Sequence, residues 1–483
     1  MALLSLMVTK RRLCALLISA VTLGGCEGGD AAPACDAEPV VMTTDDGVEF
    51  VRTPDSCFEG LPDWPYTPRY VELDGLRQAY VDEGPGTGPV VLLLHGQPSW
   101  SYLYRKMIPP LVEAGFRAIA MDHLGMGRSD KPTEIASYSY LGHADRLERF
   151  IEALGLRDIT VFVQDWGSLI GLRVTGLHPE WFARIAVGDG ALPVVPAGVT
   201  VYPPVENPDV VDDTLTSPFA DIPAQQVPLY DGCDLLEEPE GGGFGAWMTY
   251  SMRAASFRPS EVLEALTWFD LTAAEESAYD APFPSRIYMG GPRTFPSLVN
   301  ELPGANAEAW EGLAAFDRPL ITIWAANDPA DLGRCDTQDD LVCGVTGAAD
   351  QPHARLAEAS HFLQDDQGAE IARRLIAWTR SDDSVAGNYE AMCGLPIAAD
   401  GTGTLCSTDA ECSALTAEHC LSPMGTGGFC TVEGCTAGGC SDIYVCCHDC
   451  NAAAADFLPF EGSACVPMMG TMQLTSLAGC TCD

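Results

Sequence analysis

Lysine is almost missing from this chain: Lys10, Lys106 and Lys131 are the only three among 483 residues. Arginine does not make up the difference, because Lys and Arg together number 26 against 68 Asp and Glu, a formal charge of −42. No basic stripe is present to neutralise phosphates, which argues against nucleic acid and anionic membrane surfaces as partners. The plain reading of such a charge is a solvated acidic surface. A phosphate-cradling glycine loop is lacking too. Gly125-Met-Gly-Arg-Ser-Asp-Lys-Pro132 has two glycines and nothing more of that signature, so it reads as structural. There is no convincing internal repeat. The apolar run Leu13 to Gly25 is too short to span a bilayer as a stable helix.

That run belongs to a targeting segment. Lys10-Arg11-Arg12 supplies a basic start, and the run closes in Leu23-Gly24-Gly25-Cys26. The tetrad resembles a bacterial lipobox, in which Cys26 is lipidated and becomes the mature N-terminus. An ordinary cleaved signal peptide, with Cys26 incidental, is the alternative. Both predict an exported chain, periplasmic or at the cell surface, otherwise secreted. Cysteine usage agrees with export. The chain has 20 cysteines, and 13 of them fall between Cys393 and Cys482. Such density reads as a disulfide framework. Zinc is the competing reading, since His448 sits inside Cys446-Cys447-His448-Asp449-Cys450. Elsewhere Cys35–Cys57 and Cys335–Cys343 are expected to pair locally, leaving Cys233 for one tail cysteine.

The length predicts two or three domains. After a signal segment (1–26) and a polar leader (27–67), α/β alternation begins near Pro68. Tyr70 to Leu73, Gln78 to Val81, Val90 to Leu94, Phe116 to Met121 and Ile159 to Val163 read as strands. Ile185 to Val187 and Leu320 to Trp324 do so more briefly. Continuous apolar runs of this kind are buried on both faces. Leu141 to Leu154 has helical spacing. The pattern predicts a parallel sheet covered on both sides, split into 68–192 and 303–380. Residues 193–302 interrupt it as a helical cap, in which Glu261 to Trp268 reads as a helix. A linker (381–392) precedes the Cys-rich module (393–483).

The chemistry centres on Val161-Phe-Val-Gln-Asp-Trp-Gly-Ser168. A strand, a sharp turn and a helix place Asp165 where a nucleophile elbow usually carries serine. A carboxylate suits displacement at a saturated carbon bearing a leaving group, and it forms an alkyl ester with the protein. The indole N–H of Trp166 donates and cannot accept, which suits a departing anion. Ester cleavage then needs a base and oxyanion donors. His95-Gly96-Gln97-Pro98 follows a strand, and the backbone N–H groups of Gln97 and Trp166 form the natural donor pair. The base is expected late in the chain, at His361 in Ala359-Ser360-His361-Phe362. His95 belongs to the oxyanion turn. His123, His143, His178 and His353 read as ordinary residues, while His419 and His448 lie in the tail.

From Pro68 to Arg380, roughly two-thirds of the chain, the sequence resembles haloalkane dehalogenases of the α/β-hydrolase superfamily. The matching stretches run from His95 to Pro109 (HGQPSWSYLYRKMIP), Val163 to Gly167, Phe244 to Trp247, Tyr279 to Pro284 and Ser360 to Gln364. The closest subgroup carries its second halide-binding Trp in the cap. The resemblance implies an α/β-hydrolase fold with a helical cap, Asp165 as nucleophile, His361 as base, and Trp166 with Trp247 as halide donors. Trp247 taken alone reads equally as a cap core residue. The orienting acid would be Asp328, in Ala326-Asn-Asp-Pro329, but Asp189 stands where another subgroup places its acid. The implied reaction converts a small halogenated alkane and water to alcohol and halide. It requires no metal, nucleotide or organic cofactor, and membrane contact comes only through the lipid anchor. Two alternatives stay open. An epoxide hydrolase shares the fold and would use cap tyrosines such as Tyr230, Tyr250, Tyr279 or Tyr288. Gln97 and Gln164 stand where that class usually carries an aromatic residue and a histidine. The other is a catalytically inactive surface binding protein whose working part is the tail.

Overall fold

A computed structural model describes residues 35–219, 243–329, 331–382, 384–389 and 391, together with the backbone of six short strands in the tail. Its centre is an eight-stranded sheet. The strands are β3 (Arg69–Leu73), β4 (Leu76–Glu83), β5 (Val90–Leu94), β6 (Arg117–Met121), β8 (Ile159–Gln164), β9 (Phe182–Gly188), β10 (Leu320–Ala325) and β11 (Ala354–Leu356). Their spatial order is β11-β10-β9-β8-β5-β6-β4-β3. β3 and β4 pair antiparallel and β4 meets β6 antiparallel, while the remaining neighbours are parallel. Every residue of β8 and β10 is buried, as their unbroken apolar runs require when helices cover both faces. The helices flanking the sheet are α1 (Ile108–Glu113), α2 (Tyr140–Ala153), α3 (Trp166–Leu177), α8 (Ala307–Ala314), α9 (Cys335–Gly344) and α10 (Leu363–Thr379). Ser139 starts α2 by accepting the Gly142 N–H.

The leader is more structured than its polar composition suggests. β1 (Val41–Thr43) and β2 (Glu49–Val51) form a hairpin, and β2 pairs with β7 (Lys131–Pro132). Cys35 and Cys57 are bonded as expected. Phe58 and Trp64 are buried and meet Trp100 edge-on, with centroids 5.6 and 5.4 Å apart. The segment folds because its few apolar side chains land on the core. The loop before β7 is structural, as read. Lys131 is fully buried and donates to the carbonyls of Gly127 and Ser129. Burial pushes its ammonium down to about 7. Asp130 next to it pairs with Arg52 and Arg77.

The chain leaves the sheet after β9 and enters a helical region above it. The described cap helices are α4 (Phe244–Arg253), α5 (Pro259–Ala265), α6 (Ala273–Asp280) and α7 (Gly290–Thr294). α5 is shorter than the sequence suggests, because Leu266 leaves helical geometry at φ −120°, ψ 19°. That departure has a structural use. The Leu266 carbonyl accepts the Phe362 N–H, and Asp366 accepts the N–H groups of Trp268 and Phe269. The cap is thereby tied to the segment carrying His361.

Near the C-terminal end, the start of the linker is tied to the hydrolase domain up to Tyr389. Asn388 exchanges side-chain hydrogen bonds with the Arg355 backbone on β11, and the N–H groups of Asn388 and Tyr389 donate to the His353 carbonyl. The expected Cys335–Cys343 pair needs correction: both cysteines are disulfide-bonded, and the geometry of α9 rules out a bond between them. They occupy opposite parts of α9. Eight residues of helix separate their Cα atoms by about 12 Å, whereas a disulfide tolerates about 7 Å. Of the tail, the backbone forms two three-stranded antiparallel groups. Cys420 lies opposite Cys430 in one, and Cys446 opposite Cys465 in the other. Cys26 and Cys233 lie outside the described residues.

Candidate active site

Asp165 sits on the turn between β8 and α3. Its backbone is at φ 50°, ψ −132°, a sparsely populated region that costs about 1–3 kcal/mol and lifts the side chain above the sheet. Surrounding hydrogen bonds hold it there. Its N–H donates to the Asp189 carbonyl at 3.0 Å, and its carbonyl accepts from the Ser168 N–H at 2.8 Å and the Ser168 hydroxyl at 2.5 Å. Two glycines make room. A Cβ on Gly96 would overlap the Asp165 carboxylate, and one on Gly167 would overlap the Leu94 carbonyl. The Gln97 N–H donates to Asp165 Oδ1 at 2.6 Å. Trp166 opens α3, so its own N–H has no acceptor within the helix. The Gln97 side chain turns away and donates to the Pro292 carbonyl.

His361 lies between β11 and α10 and is buried. Its Nε2 is 3.6 Å from Asp165 Oδ2, and its Nδ1 is 2.8 Å from Asp328 Oδ2. Burial alone would lower the imidazole pKa. The charge of Asp328, then hydrogen bonding to Asp165 and Asp328, overrides this and holds it well above the ordinary histidine value. The Gln164 side-chain amide donates to the His361 carbonyl at 3.0 Å and fixes the loop. Asp328 follows β10 and is fully buried. Asp189 follows β9 and is fully buried too, but its Oδ1 accepts the Ala325 N–H at 2.9 Å. The carboxylate that meets Nδ1 is therefore that of Asp328, while Asp189 bonds the Ala325 N–H.

Trp166 is buried against Phe295, with centroids 5.5 Å apart. Trp247, on α4, packs among Phe219, Phe257 and Tyr250. Helix α4 in turn packs on the segment that begins at Phe295. The indole N–H groups of Trp100, Trp324 and Trp378 all have protein acceptors. Neither Trp166 nor Trp247 has one among the described residues. A buried indole donor normally finds a partner, so both are free to serve an external acceptor.

Of the cap tyrosines, Tyr279 is committed elsewhere. Its hydroxyl donates to Asp365 at 2.5 Å, and Arg105 bridges Asp365, Glu275 and Tyr279. Tyr250 and Tyr288 are buried, and Tyr230 lies outside the described residues. The Arg105 network binds cap to core and was not anticipated. Arg105 falls within the family-like stretch ending at Pro109, but nothing local in the sequence indicates its distant acidic partners.

A carboxylate on a strained elbow, with an acid-oriented histidine late in the chain, defines an α/β-hydrolase. Residues 89–216 accordingly match a family model described as alpha/beta hydrolase fold. The chain is 38% identical over 344 residues to the haloalkane dehalogenase of Mycolicibacterium paratuberculosis, an alignment covering 69% of this chain and 99% of that protein. It is 40% identical over 344 residues to haloalkane dehalogenase 1 of Mycobacterium bovis, covering 69% of this chain and 100% of that protein. Among solved structures it is similar to a haloalkane dehalogenase from Paraglaciecola agarilytica NO2, described as tetrameric. That match has a TM-score of 0.54 and 27% identity, and it covers 68% of this chain and 97% of that one. The chain belongs to the haloalkane dehalogenases.

Proposed function

We propose that this protein hydrolyses carbon–halogen bonds at saturated carbon through a covalent ester on Asp165. The observation that carries the reading is the line of groups Asp165, His361 and Asp328, at 3.6 and 2.8 Å, together with the indoles of Trp166 and Trp247, whose N–H groups meet no acceptor among the described residues. Asp165 Oδ2 attacks the carbon, a C–O bond forms, and the C–X bond breaks with its electron pair leaving on the halide. Trp166 and Trp247 donate to that halide as charge gathers on it. His361, held by Asp328, then takes a proton from water. The hydroxide attacks the ester carbonyl, whose developing oxyanion is held by the Gln97 and Trp166 backbone N–H groups. Collapse breaks the acyl C–O bond, releases the alcohol and restores the carboxylate, and His361 passes its proton to solvent.

Tyr279 hydrogen-bonds Asp365, which removes one candidate alkoxide donor from the epoxide hydrolase alternative. Export as a lipoprotein anchored through Cys26 is part of the same proposal. It is supported by the signal segment and by disulfide-bonded cysteines in the leader and the hydrolase domain. A role for the Cys-rich tail at the cell surface is proposed on composition alone. The test of the activity is halide release from 1,2-dibromoethane by purified protein, together with intact mass of the His361→Gln variant. That variant should retain the alkyl group on the peptide containing Asp165. An unmodified variant, under conditions in which wild type turns over, refutes the ester.

A further inference from the structure

The second acid is left without a task by this mechanism, and its surroundings suggest one. Asp189 is fully buried, its backbone is at φ 34°, and its carbonyl supports the Asp165 N–H. Oδ1 accepts from Ala325, while Oδ2 is buried with no donor among the described residues. A carboxylate oxygen of Asp189, one of Asp328 and a ring nitrogen of His361 all lie within 4.8 Å of one another. Arg355 opposes the negative charge of this group only weakly through its own charge. Two ionised carboxylates facing one imidazole would leave an uncompensated negative charge in a dry site. A single proton on one of them removes one of these charges. Asp328 is engaged with the imidazole N–H, so the proton falls to the acid with the unsatisfied oxygen.

We propose that Asp189 works as a neutral carboxylic acid that donates from Oδ2 to Asp328, positioning the acid that orients His361. The proposal rests on His361 being the base of the ester-cleaving step. Burial, then the charge of Asp328, moves the Asp189 carboxyl well above the usual carboxylate range, which agrees. The arrangement has a chemical purpose. A second full charge would drive the imidazole further toward its cationic form, in which it cannot take a proton from water. A neutral donor fixes Asp328 in place and draws off part of its charge.

The test uses the full chain. The infrared difference spectrum of wild type minus Asp189→Asn near neutral pH should contain the carbonyl stretch of one protonated carboxylic acid, a band that the variant has lost. Formation and hydrolysis of the alkyl-enzyme are then timed separately by rapid quench. Asp189→Leu, which removes the donor, should slow hydrolysis at least tenfold while sparing alkylation. Asp189→Asn, whose amide can donate in place of the acid, should recover most of that loss. The idea is overturned if the band survives in Asp189→Asn, or if Asp189→Asn slows hydrolysis as much as Asp189→Leu. Should Asp189→Leu fail to fold, the infrared comparison still decides. Absence of any alkyl-enzyme in wild type would instead strike the proposed function.

Discussion

Replacing Trp247 with Phe separates halide binding from cap packing. Trp247 contacts Phe219 at 5.0 Å and Phe257 at 5.5 Å between centroids, and a phenyl ring preserves most of that surface. The packing loss is about 1 kcal/mol of stability and should hardly alter the chemistry. The lost N–H is different. If it holds the departing halide, its absence should raise the barrier by about 2–4 kcal/mol, or ~30- to 1000-fold in the alkylation step. Trp166→Phe should do the same from the other side of the site, with its contact to Phe295 largely kept. Pre-steady-state halide release measures the step directly. Halide quenching of intrinsic fluorescence reports binding without turnover, and each substitution should weaken it. Full activity and unchanged quenching in Trp247→Phe would show Trp247 to be a packing residue.

Three further outcomes are expected. Asp328→Asn should slow ester hydrolysis by about 10⁴, the scale of a lost triad acid, with alkylation largely kept; loss of both steps together would refute its role on Nδ1. The imidazole of His361 is held above its ordinary value partly by Asp165, whose charge disappears once it is esterified. Its NMR titration in free enzyme should therefore have a higher midpoint than the acid limb of the hydrolysis rate, which rises with pH as the base loses its proton; coincident midpoints would contradict this. The same raised value stabilises the fold at low pH, and that contribution fades as pH rises through the folded midpoint. Non-reducing peptide maps should link Cys335 and Cys343 to two different cysteines. Cys35 and Cys57 are already paired and Cys233 can take only one, so at least one link must reach the tail or the signal segment. A Cys335–Cys343 peptide would refute the geometry of α9.

The strands of the sheet were readable because unbroken apolar runs such as Val90 to Leu94 have few other places to go. The elbow was readable for a related reason: Asp165, Trp166 and Gly167 are contiguous, and their chemistry is local. The β1–β2–β7 ribbon was not. Its strands are two or three residues long, and β7 contains a proline and a buried lysine, so no periodicity announces it. The contest between Asp328 and Asp189 could not be settled from sequence either. Both follow a sheet strand, and only the 2.8 Å approach to Nδ1 separates them. Cysteine pairing failed at α9 because proximity along the chain becomes distance once the segment is helical.

The scarcity of lysine, combined with where the two core lysines lie, leaves this protein almost invisible to amine chemistry. Lys131 is sealed inside, and Lys106 holds the Asp365 carboxylate and backbone carbonyl. Succinimidyl dyes, glutaraldehyde and aldehyde resins would find hardly a primary amine on the hydrolase domain. Within that domain trypsin would have only arginines and Lys106 to cut at, since Lys131 precedes Pro132. Attachment or crosslinking of this enzyme has to proceed through its abundant carboxylates, and coupling there would also reduce the negative charge of its surface.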